Sequence, residues 1–136
     1  MSFDPYKSRE LVFLLIYNLD MGETPNDDLV ELIMAECRVA KKHVQDALAR
    51  AELIWKERQT CDAMIQKVCH EYSIDRIQSV ERNVLRLSVY ELIIEKTLPP
   101  KVVIAEGKRL AKKFSTDDAA VFVHTLLGAL CGDIAV

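Results

Sequence analysis

The sequence predicts an all-α fold, and three observations carry that prediction. Apolar residues recur at three- and four-residue steps, the spacing of one helix face. The stretch from Val39 to Tyr72 contains neither glycine nor proline, and the four glycines and four prolines of the chain mostly stand where helices should start or stop. No segment alternates apolar and polar residues with the period of two that marks a half-buried strand.

The first helix is expected from about Pro5 to Met21, with Leu11, Leu14, Leu15 and Leu19 as its apolar stripe. Gly22 suits the left-handed residue that closes a helix. Thr24-Pro25 reads as N-cap and first helical position of a short second helix over residues 25–37. Asp27 and Asp28 would sit near its positive end. Residues 39–72 are helical in composition, with a break where apolar spacing loosens between Trp55 and Thr60. Ser79 is a candidate cap for a helix running to about Lys96, with Val84, Leu85, Ser88 and Leu92 on one face. Leu98-Pro99-Pro100 ends that segment, because a residue before proline avoids helical angles and proline at the first position starts a new helix. In the new helix Val103, Gly107, Leu110, Ala111 and Phe114 share a face. Ser115-Thr116-Asp117 is a loop and cap, and the last helix turns Val123, Leu126, Leu127 and Leu130 inward.

With 136 residues, half of them apolar, one compact domain over 1–136 is expected, able to build a core without disulfide or metal. The formal net charge of −3 excludes a generally basic nucleic-acid binder but leaves room for a local basic face. Charge is uneven: residues 1–36 carry two basic and eight acidic side chains, the remainder sixteen basic and thirteen acidic. Cys37, Cys61, Cys69 and Cys131 form no CxxC pair, which points to reduced thiols and a cytoplasmic protein. The longest apolar run, Leu11 to Tyr17, is far short of the roughly 20 residues of a membrane span, so no membrane role is expected.

Catalytic patterns are missing. There is no GxSxG, glycine-rich phosphate loop or HExxH, and His43, His70 and His124 are too scattered for a metal site. Asp27-Asp28 and Asp117-Asp118 stand at helix starts, where backbone amides favour negative charge, so capping accounts for them. No cofactor is expected. Lys108, Arg109, Lys112 and Lys113 lie opposite the apolar stripe of their helix, as either an ordinary solvated face or a phosphate-attracting one. Phe114 and Phe122 flank the following loop, as core aromatics or as a platform for stacking bases. Tyr17 suits a half-buried site with a wet hydroxyl, common in cores and in interfaces.

The segment VERNVLRLSVYEL (80–92), with PPKVVIAEGKRLAKKF (99–114) and FVHTLLGAL (122–130), resembles the NusB transcription-antitermination family. YSIDRI (72–77) is similar to the family's aromatic lead-in, with Tyr72 where tryptophan is common, and RELVFLLIY (9–17) to its first helix. The resemblance implies two antiparallel helical bundles at an angle, of about seven helices. It implies binding of boxA single-stranded RNA together with the ribosomal protein NusE, within the RNA polymerase antitermination complex of ribosomal RNA operons. Carried over position by position, it implies RNA contacts at Lys7, Arg9, Phe114, Asp118 and Phe122, and NusE contacts at Tyr17 and Glu81.

The chain departs from the family where an arginine-rich N-terminus is reduced to Lys7 and Arg9 beside Asp4 and Glu10. It departs again where I-N-E-A becomes IAEG at 104–107, and where F-V-N-G-x-L-D becomes FVHTLLG at 122–128. Fewer arginines release fewer counterions, so weaker RNA binding with a shallower salt slope is expected. Two other expectations stand beside the first. One is a helical adaptor that has lost RNA recognition. The other, ribosomal RNA cytosine methylation, follows from NusB-like domains that precede such methyltransferases, but no methyl-donor domain follows within 136 residues, so no enzyme is expected. Some family members form homodimers, for which Phe13 and Tyr17 of the apolar first helix offer a face.

Overall fold

The computed structural model describes residues 3–71 and 73–134, so Tyr72 lies outside the described residues. Seven α-helices are present and no strand occurs among the described residues: α1 (Pro5–Asp20), α2 (Asp27–Cys37), α3 (Lys41–Lys56), α4 (Arg58–Val68), α5 (Ser79–Tyr90), α6 (Pro100–Phe114) and α7 (Asp117–Ile134). They form two compact units, the first ending at Lys56 and the second beginning at Glu57. These are the two helical bundles that the family resemblance implies.

In the first unit α3 packs along α1 and against α2. Asp4 caps α1 by accepting from the Tyr6 amide at 2.9 Å, with Pro5 at the first helical position. Leu11, Val12, Phe13, Leu15 and Ile16 are all buried, while Leu14 and Leu19 are only half-buried. The expected stripe is therefore too narrow, because α1 is enclosed on most of its circumference and takes apolar residues all round. Burial of Phe13 also removes it from any homodimer face.

Gly22 closes α1 at φ +83°, as expected of a glycine after the helix end. The cap of α2 is not Thr24. Asn26, with extended backbone, accepts from the Leu29 amide at 2.9 Å, and the helix begins at Asp27. An asparagine next to the first turn caps better than a threonine two residues earlier. The break in the 39–72 stretch falls at Glu57, inside the window of loosened apolar spacing.

In the second unit α5 is the hub, packed against α4, α6 and α7. Ser79 is its first helical residue and not its cap. That place belongs to Gln78, which makes no side-chain capping bond. The Ser79 carbonyl instead accepts from Asn83 Nδ2 at 2.8 Å. Arg86 donates through Nε and Nη2 to the two carboxylate oxygens of Asp62 on α4, both at 2.8 Å, and through Nη1 to Asn83 Oδ1 at 3.1 Å. This fork-to-carboxylate pairing fixes α4 against α5. A π-turn over Glu91–Glu95 extends α5 and ends at Lys96 in the left-handed region, φ 55°.

Gly107 lets α6 approach its neighbours closely. A Cβ there would meet Leu127 Cδ1 at 2.8 Å and Ser88 Oγ at 3.0 Å. Thr116 caps α7 by accepting from the Ala119 amide at 3.0 Å. Val103, Leu110 and Ala111 of α6 and Val123, Leu127 and Leu130 of α7 are buried between the packed helices.

Candidate functional site

The residues singled out from the sequence divide between the units. Lys7, Arg9 and Tyr17 stand on α1, and Glu81, Phe114, Asp118 and Phe122 belong to the second unit.

At the start of α1, Phe3 stacks on His43 with ring centroids 3.8 Å apart, holding the chain that leads into the helix. Lys7 is half-buried. Arg9 is 8% exposed and its Nη1 donates to the Pro5 carbonyl at 3.3 Å. Burial limits the access of a phosphate to the Arg9 guanidinium, so the half-buried Lys7 is the more available of the two cations. Tyr17 is half-buried, its ring 6.2 Å from that of Phe13.

In the second unit Glu81, Asp118 and Phe122 converge. With Arg76, Ile77, Gln78, Thr116 and Ala119 they line a cleft of about 450 Å³. Its walls are set by short-range bonds. Gln66 donates to the Cys69 carbonyl at 3.0 Å and accepts from the Ile74 amide at 2.9 Å, which docks the 3-10 turn Ile74–Arg76 onto the end of α4. Arg82 donates to the Ile77 carbonyl at 3.1 Å and so fixes the lead-in to α5. Thr116, as cap of α7, places Asp118 in the exposed first turn and Phe122 one turn further on.

Glu81 is the unusual member. It is 7% exposed, and its Oε1 is buried with no hydrogen-bond partner among the described residues. A carboxylate oxygen without a donor is costly in a native fold and asks for one from outside. The cleft therefore combines an aromatic face, two carboxylates, a hydroxyl, an amide and a guanidinium. Those groups match the edge and face of a nucleobase better than a row of phosphates.

Phe122 also borders a smaller cavity of about 240 Å³ with Val68, Cys69, His70, Glu71, Thr125 and Leu126. Phe114 does not line the cleft. It is half-buried under the Lys113 ammonium, which lies 5.7 Å from its ring centroid. The basic run of α6 is not uniform either. Arg109 is held by Glu106 at 2.8 and 3.1 Å, leaving Lys108, Lys112 and Lys113 as its exposed cations.

Arg76, Gln78 and Thr116 were not singled out from the sequence. Arg76 lies inside the YSIDRI segment and Thr116 inside the loop-and-cap signal, but nothing local says that they face one another. Among the described residues no cysteine lines the cleft, and burial, with Asp62 alongside, pushes the Cys61 thiol up to about 12. Among the described residues no group of three or more His, Cys, Asp or Glu is placed to hold a metal, and no helix is long and apolar enough to cross a membrane.

The sequence profile of the NusB family matches residues 6–130. The chain is 35% identical over 131 residues to the transcription antitermination protein NusB of Chlamydia pneumoniae, covering 96% of this chain and 82% of that one. NusB from T. maritima superposes with a TM-score of 0.77 at 28% identity, over 97% of this chain and 93% of that one. A crystal structure of the antitermination factors NusB and NusE in complex with double-stranded RNA gives a TM-score of 0.72 at 33% identity, over 92% and 93% of the respective chains.

Proposed function

The chain belongs to the NusB family, and on that premise we propose that it is a transcription antitermination factor that binds boxA-type RNA jointly with NusE. It acts by positioning and not by catalysis, in the cytoplasm, within the antitermination complex on RNA polymerase. The observation that carries this reading is the cleft where Glu81, Asp118 and Phe122 meet.

In this mechanism Phe122 offers its ring to a base, and Asp118 and Gln78 take up hydrogen bonds along the base edge. Arg76 and Lys7 neutralise phosphates. On NusE binding the Glu81 side chain turns its carboxylate outward to receive a donor from NusE, which relieves the buried Oε1 that meets no donor among the described residues. Tyr17 contributes its hydroxyl to NusE, and Phe114 with Lys113 supports the loop that carries Thr116. Because the NusE contact and the base contact share one cleft, filling either stiffens the walls of the other, and RNA binds more tightly with NusE present. The neighbour with NusE and RNA supports this pairing of ligands.

Fluorescence anisotropy with boxA and scrambled RNA, with and without NusE, tests the reading. Phe122→Ala should lower boxA affinity about tenfold, since stacking contributes roughly 1–3 kcal/mol per base. Absence of boxA preference in both conditions would sink the proposal. A second reading, an adaptor that binds NusE without RNA, is favoured by the burial of Arg9. Lys7→Glu separates the two, weakening RNA binding under the first and changing nothing under the second.

A further inference from the structure

Two lysines of α6 that the cleft leaves unused, Lys101 and Lys108, meet on a second groove. Lys101, Ile104, Ala105 and Lys108 of α6 and His124 of α7 line a space of about 350 Å³. Lys101, Lys108 and Lys112 are all exposed and stand seven and eleven residues apart, close to whole numbers of helical turns, so they form one row along the helix. The row places its charges about 10 Å and about 6 Å apart along the axis.

This groove differs from the cleft in three respects. Its lining holds no carboxylate, whereas Glu81 and Asp118 line the cleft. Among the described residues no carboxylate pairs with Lys101, Lys108 or Lys112, in contrast to Arg109 with Glu106. It also opens on another flank, because His124 lies two residues beyond Phe122 and so about 200° around α7. The small Ala105 between the two lysines allows a chain to lie close to the helix, and an imidazole N–H of exposed His124 can donate to an oxygen laid there.

We propose that this groove binds the phosphodiester backbone of single-stranded RNA flanking the segment read in the cleft. The proposal rests on the RNA-binding reading and adds to it a second, sequence-independent contact that compensates for the two-cation first helix. A narrow row of cations, bordered by the aliphatic Ile104 and Val102 and with no aromatic side chain besides His124 in its lining, suits a linear polyanion better than a membrane surface, which needs a broader apolar anchor as well.

The test uses the full chain with NusE and two RNAs, boxA alone and boxA extended by a flanking single strand, titrated from about 50 to about 200 mM salt. For the extended RNA, Lys101→Gln with Lys108→Gln should lower affinity about tenfold near physiological salt. It should make the log–log salt slope shallower by about 1.4, the loss of two single-strand phosphate contacts. Preference for boxA over scrambled sequence should be unchanged, and boxA alone should bind as before. Lys41→Gln with Lys42→Gln, an equal change of charge on exposed lysines of the first unit, should have little effect. Unchanged affinity and slope in the Lys101/Lys108 variant, or an equal loss in the Lys41/Lys42 variant, overturns the groove while boxA preference still upholds the cleft. Failure of the unaltered protein to bind either RNA overturns both.

Discussion

Replacing Glu81 by methionine should stabilise the protein while removing its response to NusE. Glu81 occupies the third position of α5. There the helix dipole favours a negative charge by about 0.3–1 kcal/mol. Against this stands a buried Oε1 with no donor among the described residues, in a side chain only 7% exposed. Leaving such an acceptor unmet costs about 1–3 kcal/mol, and more where it is charged. The desolvation cost is the larger effect, so an unbranched apolar side chain of similar length should gain about 1 kcal/mol net. For a chain of this size that corresponds to a rise in Tm of about 3–5 °C. Glu81→Gln keeps the shape and an unmet polar atom, so its Tm should stay near the parent's. Thermal unfolding followed by circular dichroism measures both, and anisotropy with NusE measures the loss of enhancement. A fall in Tm for Glu81→Met would refute the argument, since it would mean that the carboxylate is already satisfied in the free protein.

Asp62→Ala strands the Arg86 guanidinium, which is 8% exposed, and should cost about 3 kcal/mol in urea denaturation; Asp62 is 21% exposed, which keeps the loss at the low end for a broken buried pair. Asp62→Leu with Arg86→Met should recover most of that loss. Cys61, raised from 9.0 to about 12 by burial, stabilises the fold fully below pH 9 and loses that contribution as pH rises from 9 towards 12, because the unfolded thiol ionises first. Urea midpoints at pH 8 and pH 10 should therefore converge in Cys61→Ala relative to the parent, and an unchanged gap would contradict the shift. Gly107→Ala should destabilise by about 1 kcal/mol, since overpacking against Leu127 and Ser88 outweighs the helix-propensity gain of up to about 1 kcal/mol. Leu127→Val should restore the loss by making room, and a Gly107→Ala protein more stable than the parent would show that the close approach is not rigid.

Much of the secondary structure was legible because its causes are local. Gly22, Pro100 and Thr116 each close or open a helix through the backbone of their own turn, and all three do so. The misplaced caps show the limit of that reasoning. Thr24 and Asn26, or Ser79 and Gln78, lie within two residues of one another, and the choice between them follows from where packing lets the first turn begin. The α1 stripe was read too narrowly because periodicity shows which face prefers burial, not how much of the helix the fold encloses.

The site was less legible. Glu81 and Asp118 are far apart in sequence, and only the packing of α5 against α7 puts both on one cleft with Arg76, Gln78 and Thr116. Equally, Lys108, Arg109, Lys112 and Lys113 of α6 look alike in sequence, yet Glu106 takes Arg109, the Phe114 ring takes Lys113, and the exposed Lys108 lines the groove beside His124. By itself the sequence determined the helical class, most helix limits and the family, since these rest on patterns within a turn or along a segment. Tertiary structure alone decided that Arg9 is buried, that Glu81 Oε1 meets no donor among the described residues and that Glu106 takes Arg109, since the state of a polar group depends on what the fold brings against it.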